Sequence, residues 1–256
     1  MLDIHSHIIP RVDDGAKNLS ESLKMIYMAI KGGTKTIIAT PHYYRGFYEV
    51  PYSEQVKNLH DLKIEVVDKC LDIEIILGQE VFLDHSVVEL LESGKIGPIS
   101  NTNYMLVETD IREYDKSILD YIYELRVRDI TPILAHPERY IYIQNNPTIL
   151  NEFVKEGCLF QVNGGSIKGI FGEDVKRTSE ILINNGFCNF LGSDAHSTNK
   201  RNTDLKEVIK ELQDINKNGY EKVIENGDLL LSNLPIEAEF EKLEKRKSFF
   251  SFFKRK

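Results

Sequence analysis

Cysteine is scarce, long apolar runs are missing and basic charge is outnumbered, and each shortage removes a class of protein. The three cysteines, Cys70, Cys158 and Cys188, are odd in number and scattered through apolar runs of a 256-residue chain. A chain of that size needs no disulfide staples, so they read as core thiols in a reducing compartment. No apolar stretch approaches the roughly 20 residues that span a bilayer, and the start MLDIHSHIIP lacks the basic flank and apolar run of a secretory signal. The expected location is cytoplasmic. With 40 acidic against 32 basic residues the net charge is −8, which argues against nucleic acid as a partner, because phosphate neutralisation needs a basic face.

Several catalytic signatures are missing as well. No G-x-G-x-x-G or G-x-x-x-x-G-K-[ST] loop follows an apolar run, and no G-x-S-x-G nucleophile elbow occurs. A cysteine phosphatase needs an arginine six positions after its cysteine. Here those positions hold Ile76, Gly164 and Asp194.

What remains is ordinary globular composition, 41% hydrophobic and 28% charged. Apolar, β-rich runs at 2–5, 36–40, 73–77, 104–108, 131–135, 159–162 and 188–191 read as strands. They alternate with amphipathic stretches at 20–31, 53–70, 116–127, 148–155, 174–184 and 202–214 that read as helices. Repeated βα units of this kind predict a parallel sheet, and polar residues at nearly every strand's C-terminal end favour an α/β barrel over an open sheet. The expected layout is a single barrel domain over 1–240 and a compositionally distinct tail over 241–256. The last twelve residues carry six basic side chains and four phenylalanines. Setting those six positive charges apart from the net −8 leaves −14 on the rest of the chain.

The chemistry collects where barrels place it. His5 and His7 alternate at the end of the first strand, so both can face one metal. His42 follows the second strand, Glu80 the third, Glu108 ends the fourth, His136 follows the fifth, and Asp194 and His196 follow the last. Of seven histidines only His60 and His85 lie elsewhere. Imidazole and carboxylate without thiolate suit divalent manganese, iron or zinc, and carboxylates can bridge adjacent ions. Metals so grouped would lower the pKa of a shared water and neutralise phosphoryl or carbonyl charge. Arg139 and Arg201 rise at the same rim, and planar guanidinium groups favour the phosphoryl alternative. Tyr43, Tyr44, Arg45 and Phe47, just after His42, are candidates for gripping an aromatic substrate ring.

The series DIHSH, DDG, TPH, GQE, AHPER and SDAH resembles the polymerase and histidinol phosphatase superfamily. Within it, the series is similar to the bacterial manganese-dependent protein-tyrosine phosphatases that accompany capsule and exopolysaccharide operons. That resemblance implies a distorted (β/α)7 TIM-like barrel with three divalent metal ions, manganese preferred, iron or zinc acceptable. Carried over residue by residue, it assigns His5, His7, Glu80 and Asp194 to one ion. Glu80 would bridge to a second ion held by Glu108 and His136. His42, His196 and an aspartate of the Asp13–Asp14 pair, Asp14 being favoured, would hold the third. Arg139 and Arg201 would bind phosphate.

The expected activity is hydrolysis of phosphotyrosine on a membrane-associated bacterial tyrosine kinase that regulates capsule or exopolysaccharide synthesis. The alternative is a small-molecule phosphomonoesterase such as a histidinol-phosphate phosphatase, with the same metals and arginines. The basic, phenylalanine-rich tail suits contact with an anionic membrane surface, which would make the protein peripheral to the membrane's inner face.

Overall fold

A computed structural model describes residues 1–244. Nine parallel strand segments run in chain order: β1 (Leu2–Ser6), β2 (Thr36–Ala39), β3 (His42–Tyr43), β4 (Glu74–Leu77), β5 (Glu80–Phe82), β6 (Tyr104–Glu108), β7 (Thr131–Ala135), β8 (Leu159–Asn163) and β9 (Phe190–Gly192). They pair as β1-β2-β4 and as β3-β5-β6-β7-β8-β9. Thr40–Pro41 separates β2 from β3, and Gly78–Gln79 separates β4 from β5. Each break interrupts one line of chain, so the nine segments trace the seven strands expected from the sequence.

The curled sheet closes on itself. Asp194 N donates to His5 O at 2.7 Å, His7 N donates to Ala195 O at 2.9 Å, and Ser6 bridges Ala195 in parallel. The buried Asp3 carboxylate stitches this seam, accepting from Ser193 N at 2.8 Å and His5 N at 3.3 Å. A register shift between Asp3 and Ser6 lets Ile4 join the apolar interior while His5 and His7 face the mouth. Re-aiming a side chain in this way is what a bulge does beside a site.

Ten α-helices and two short 3-10 helices (Pro137–Arg139 and Pro147–Ile149) accompany the strands among the described residues: α1 (Leu19–Lys31), α2 (Tyr52–Asp68), α3 (Val87–Glu92), α4 (Ser117–Val127), α5 (Ile141–Asn145), α6 (Leu150–Lys155), α7 (Gly164–Ile167), α8 (Glu173–Asn184), α9 (Lys206–Ile215) and α10 (Lys217–Leu231). α1 starts where the Asn18 side chain accepts from Glu21 N, and it buries Ser22, Met25, Ile26 and Ala29 at helical spacing. α10 escapes the sequence reading because Gly219 and Gly227 dilute its helical propensity. Its Leu230 nonetheless packs with Ile4, Ile38, Leu106, Ile133 and Phe190, sealing the lower interior of the barrel.

After α10 the chain straps across the barrel. Tyr104 Oη donates to Leu234 O at 2.6 Å, Phe240 packs on Phe160 and Phe187, and the Asn151 amide pairs with both backbone groups of the buried Leu243. The expected boundary at 240/241 falls inside this strap, and the basic, phenylalanine-rich residues 245–256 lie outside the described residues. Cys158 and Cys188 are core thiols, as read from the sequence. Cys70 is not: it is exposed, in the left-handed turn (φ 52°) that ends α2, where nothing covers it.

Candidate metal centre

The strands deliver the rim residues to one point. His5 Nε2 and His7 Nε2 lie 3.1 Å apart, each about as close to Glu80 Oε2 (3.1 and 3.2 Å) and 3.6 Å from Asp194 Oδ1, all of them buried. The far nitrogens are committed elsewhere. His5 Nδ1 bonds Gln161 Oε1 at 2.8 Å and His7 Nδ1 bonds Asp13 Oδ2 at 2.7 Å. Both partners are acceptors, so each Nδ1 carries the proton and the two Nε2 lone pairs face each other and a carboxylate. Such a donor set calls for a cation. Burial opposes charge on His5, yet Glu80 and Asp194 outweigh it and raise its pKa, and Asp13 and Glu80 do the same more strongly for His7. A divalent ion answers the same field as a proton.

Glu80 sits at the centre of a second set. Its Oε2 is 3.2 Å from His42 Nδ1, which is 3.1 Å from Glu108 Oε1. Glu80 Oε2 and His42 Nδ1 are buried without a hydrogen-bond partner, as is His136 Nδ1. Two orphaned atoms 3.2 Å apart among imidazoles are what a ligand sphere looks like. In a third set, Asp14 Oδ1 lies 3.3 Å from His196 Nε2 and 3.5 Å from His42 Nε2, with His7 alongside. The ambiguous aspartate pair divides by role: Asp14 turns to the imidazoles, while buried Asp13 backs His7 and accepts from His42 N and Gly15 N.

Three groups able to hold an ion therefore share members: His5, His7 and Glu80; His42, Glu80 and Glu108; and His7, Asp14, His42 and His196. His136 reaches Glu80 Oε1 at 2.8 Å rather than Glu108, which faces His42. In register, His42 pairs with Glu80, and Glu108 stands beside Phe82, two residues further along. The two carboxylates titrate in opposite directions. Burial works against Glu80, but His5 and His42 hold it well below its ordinary value. Glu108 is pushed up by burial and by the negative charge of Glu80. Burial, with Arg139 nearby, lowers His136 to about 4, so its imidazole stays neutral.

Both predicted arginines reach this centre through Asp194. Arg139 Nη1 donates to Oδ2 at 2.8 Å and Arg201 Nη2 to Oδ1 at 2.6 Å, with Asn163 Nδ2 on Oδ2 at 2.6 Å. Their side chains stay 19% and 30% exposed, so a ligand at the mouth can meet them. His136 and Asp194 adopt left-handed backbone (φ 37° and 49°) at the strand ends that aim them inward, strain of the kind stored at functional sites. Two glycines permit the close approach. A Cβ on Gly15 would overlap the His7 carbonyl oxygen, and one on Gly192 would stand 2.6 Å from His5 Cβ.

Tyr44 stacks on Phe82 (centroids 4.0 Å) and leans on the 71%-exposed Phe47, while Tyr48 stacks on His42 at 5.5 Å. Tyr43 is buried in the core and Arg45 is paired with Asp84, so neither is free to grip a ring. Sequence reasoning missed the orienting role of Gln161 and the Asn163 side chain. Their signal was polar residues at alternate positions of a fully buried strand.

The chain matches the family profile of capsular polysaccharide synthesis proteins, CpsB/CapC, over residues 1–232. It is 32% identical to the tyrosine-protein phosphatase YwqE of Bacillus subtilis over 256 residues, covering 99% of this chain and 100% of that one. It is 30% identical to the tyrosine-protein phosphatase CpsB of Streptococcus agalactiae over 240 residues, covering 91% of this chain and 99% of that one. Its fold superimposes with a TM-score of 0.91 and 30% identity, over 96% of this chain, on a crystal structure from work on B. subtilis YwqE and Streptococcus pneumoniae CpsB, described as unique metal-dependent tyrosine phosphatases. With profile, sequence and fold aligned nearly end to end, the chain belongs to the CpsB/CapC family of capsular polysaccharide synthesis.

Proposed function

We propose that this chain is a metal-dependent protein-tyrosine phosphatase of capsule or exopolysaccharide synthesis. The observation that carries the reading is the crowding of three ligand groups at one point, two of them sharing the Glu80 carboxylate, which suits adjacent bridged ions. Three divalent ions, manganese preferred, are the proposed complement. His5, His7, Glu80 and Asp194 would hold one. Glu80, Glu108 and His136 would hold the second, and Asp14, His42 and His196 the third. When bound, such ions acidify a water and draw charge from a phosphoryl group.

The chain's own residues do the rest. Gln161 and Asp13 hold the His5 and His7 tautomers that turn Nε2 inward. Arg139 spends one N–H group on Asp194 and Arg201 two, and their remaining N–H groups are left for the equatorial phosphoryl oxygens. The exposed Phe47, with the half-buried Tyr44 and Phe82 behind it, offers an apolar face to the substrate's phenyl ring. A phenolate of pKa about 10 leaves without strong acid assistance. The proposed partner is a phosphotyrosyl protein, a membrane-associated bacterial tyrosine kinase. Among the described residues no helix is long and apolar enough to cross a membrane, and the tail is proposed to supply contact with the membrane surface.

The test is the initial rate on a tyrosine-phosphorylated peptide with manganese, beside histidinol phosphate, with His136→Ala as background. The peptide is expected to be preferred, and its turnover lost in the variant and after chelation. A preference for histidinol phosphate would keep the metal chemistry and replace the substrate.

A further inference from the structure

The two rim arginines are restrained differently. Arg201 is held by its edges alone, through Asp194 Oδ1 at 2.6 Å and Asp194 O at 3.3 Å. Arg139 has one edge on Asp194 Oδ2 at 2.8 Å, and its guanidinium carbon Cζ lies over the Phe171 ring, 4.6 Å from the centroid. Phe171 comes from the turn Lys168-Gly-Ile-Phe-Gly172 between α7 and α8. Gly169 and Gly172 there take φ values of 73° and 103°, which glycine reaches at least cost, so the turn that presents the ring is written into the sequence. Gly165 leaves space behind it: a Cβ there would stand 3.0 Å from Phe171 Cε2. Phe171 itself is only half-buried and belongs to none of the three apolar clusters, so core packing does not explain an aromatic side chain at this position.

We propose that Phe171 is a positioning residue for substrate phosphate, acting through Arg139. The ring face attracts the guanidinium and fixes its plane. With one edge spent on Asp194, the remaining N–H groups are then held in one orientation toward the mouth of the site. A side chain of similar size without a π face would fill the volume and leave the plane free to rotate. Phosphate binding would then have to freeze that rotation, at a cost in affinity. The inference rests on Arg139 binding the substrate phosphate.

The experiment uses manganese-loaded full-length enzyme and two readouts, competitive inhibition by inorganic phosphate and the KM and kcat for a phosphotyrosine peptide, with bound metal counted in every variant. Phe171→Leu is expected to raise both the phosphate inhibition constant and KM about tenfold, with a smaller change in kcat and the same metal content. Phe171→Tyr, which keeps the π face, should stay within about twofold of wild type. Gly165→Ala, which crowds the ring, should fall between them, and it decides the matter if Phe171→Leu does not fold. In an Arg139→Ala background Phe171→Leu should add nothing. If Arg139→Ala leaves phosphate inhibition at the wild-type value, Arg139 is not the phosphate ligand and the inference falls with that reading. If Arg139→Ala weakens phosphate but Phe171→Leu and Gly165→Ala do not, or if Phe171→Leu is equally damaging without Arg139, the inference alone is overturned.

Discussion

Two buried carboxylates flank His5 and His7 and are balanced on opposite terms. Glu80, on the β1 to β6 side, has Oε2 within 3.2 Å of imidazole nitrogens from His5, His7 and His42, and no hydrogen bond at that atom. Asp194, on the β7 to β9 side, is held by two guanidinium groups and an amide. Both are kept ionised against burial, Glu80 by histidines alone and Asp194 by His5 first and then Arg201. One side leaves negative charge for an exchangeable cation, while the other neutralises it with permanent cations that can also receive an anion. A polar relay joins them, from His5 through Gln161 and Asn163 to Asp194. On the proposed reading metal ligands come from both sides, His136, Asp194 and His196 included, and the phosphate-binding arginines from the β7 to β9 side alone.

The comparison breaks most completely at Glu80. Glu80→Gln keeps the shape and removes the charge that two of the three ligand groups share. Peptide turnover should fall on the order of 10³-fold or more, with loss of bound manganese measured by elemental analysis. Undiminished metal content would show that the histidine side does not depend on this carboxylate.

A third carboxylate sharpens the contrast by accepting no hydrogen bond from a histidine or an arginine side chain. Glu138 is buried, accepts from Asn163 N through Oε1 and leaves Oε2 without a hydrogen bond, and burial raises its pKa from 4.5 to about 7. Its folded-state pKa lies above the unfolded one. Its neutral form is therefore favoured by folding below about pH 4.5, and stability is lost as pH rises toward 7. The full loss is about 3 kcal/mol from a shift of this size. Denaturant midpoints of wild type and Glu138→Gln, compared from pH 5 to 8, should diverge in favour of the variant as pH rises. Parallel curves would mean that folding leaves the pKa of Glu138 near its unfolded value.

The smallest expected effect is at the relay. Gln161→Leu removes the acceptor that fixes the His5 tautomer, and manganese affinity should weaken about 10- to 100-fold by titration calorimetry. An unchanged affinity would mean that Asp13, Glu80 and Asp194 suffice to orient the histidine pair.

Much of this was legible in the chain because the signals are local. Alternating apolar runs located seven strands, and five histidines fell at their C-terminal ends because barrel strands carry chemistry only there. The helix at Lys217–Leu231 was hidden by its glycines, although a Cβ at Gly227 would meet Leu2 at 3.4 Å, an ordinary packing distance. Cys70 looked like a core thiol from its apolar neighbours and is exposed because a helix ends there. Tyr43 shared a motif with Tyr44, yet strand alternation turned it into the core.

By itself the sequence determined the order of strands and helices, the rim that gathers histidine and carboxylate, and the family motifs, since each depends on neighbours in the chain. Only the tertiary structure decided which ligand meets which. It set Glu108 against His42, His136 against Glu80, Asp14 toward the imidazoles and Asp13 behind one, and both arginines on Asp194. Those pairings depend on inter-strand register, on the seam between β1 and β9, and on left-handed turns at strand ends. All of these are set when distant segments close the barrel rather than by any segment alone.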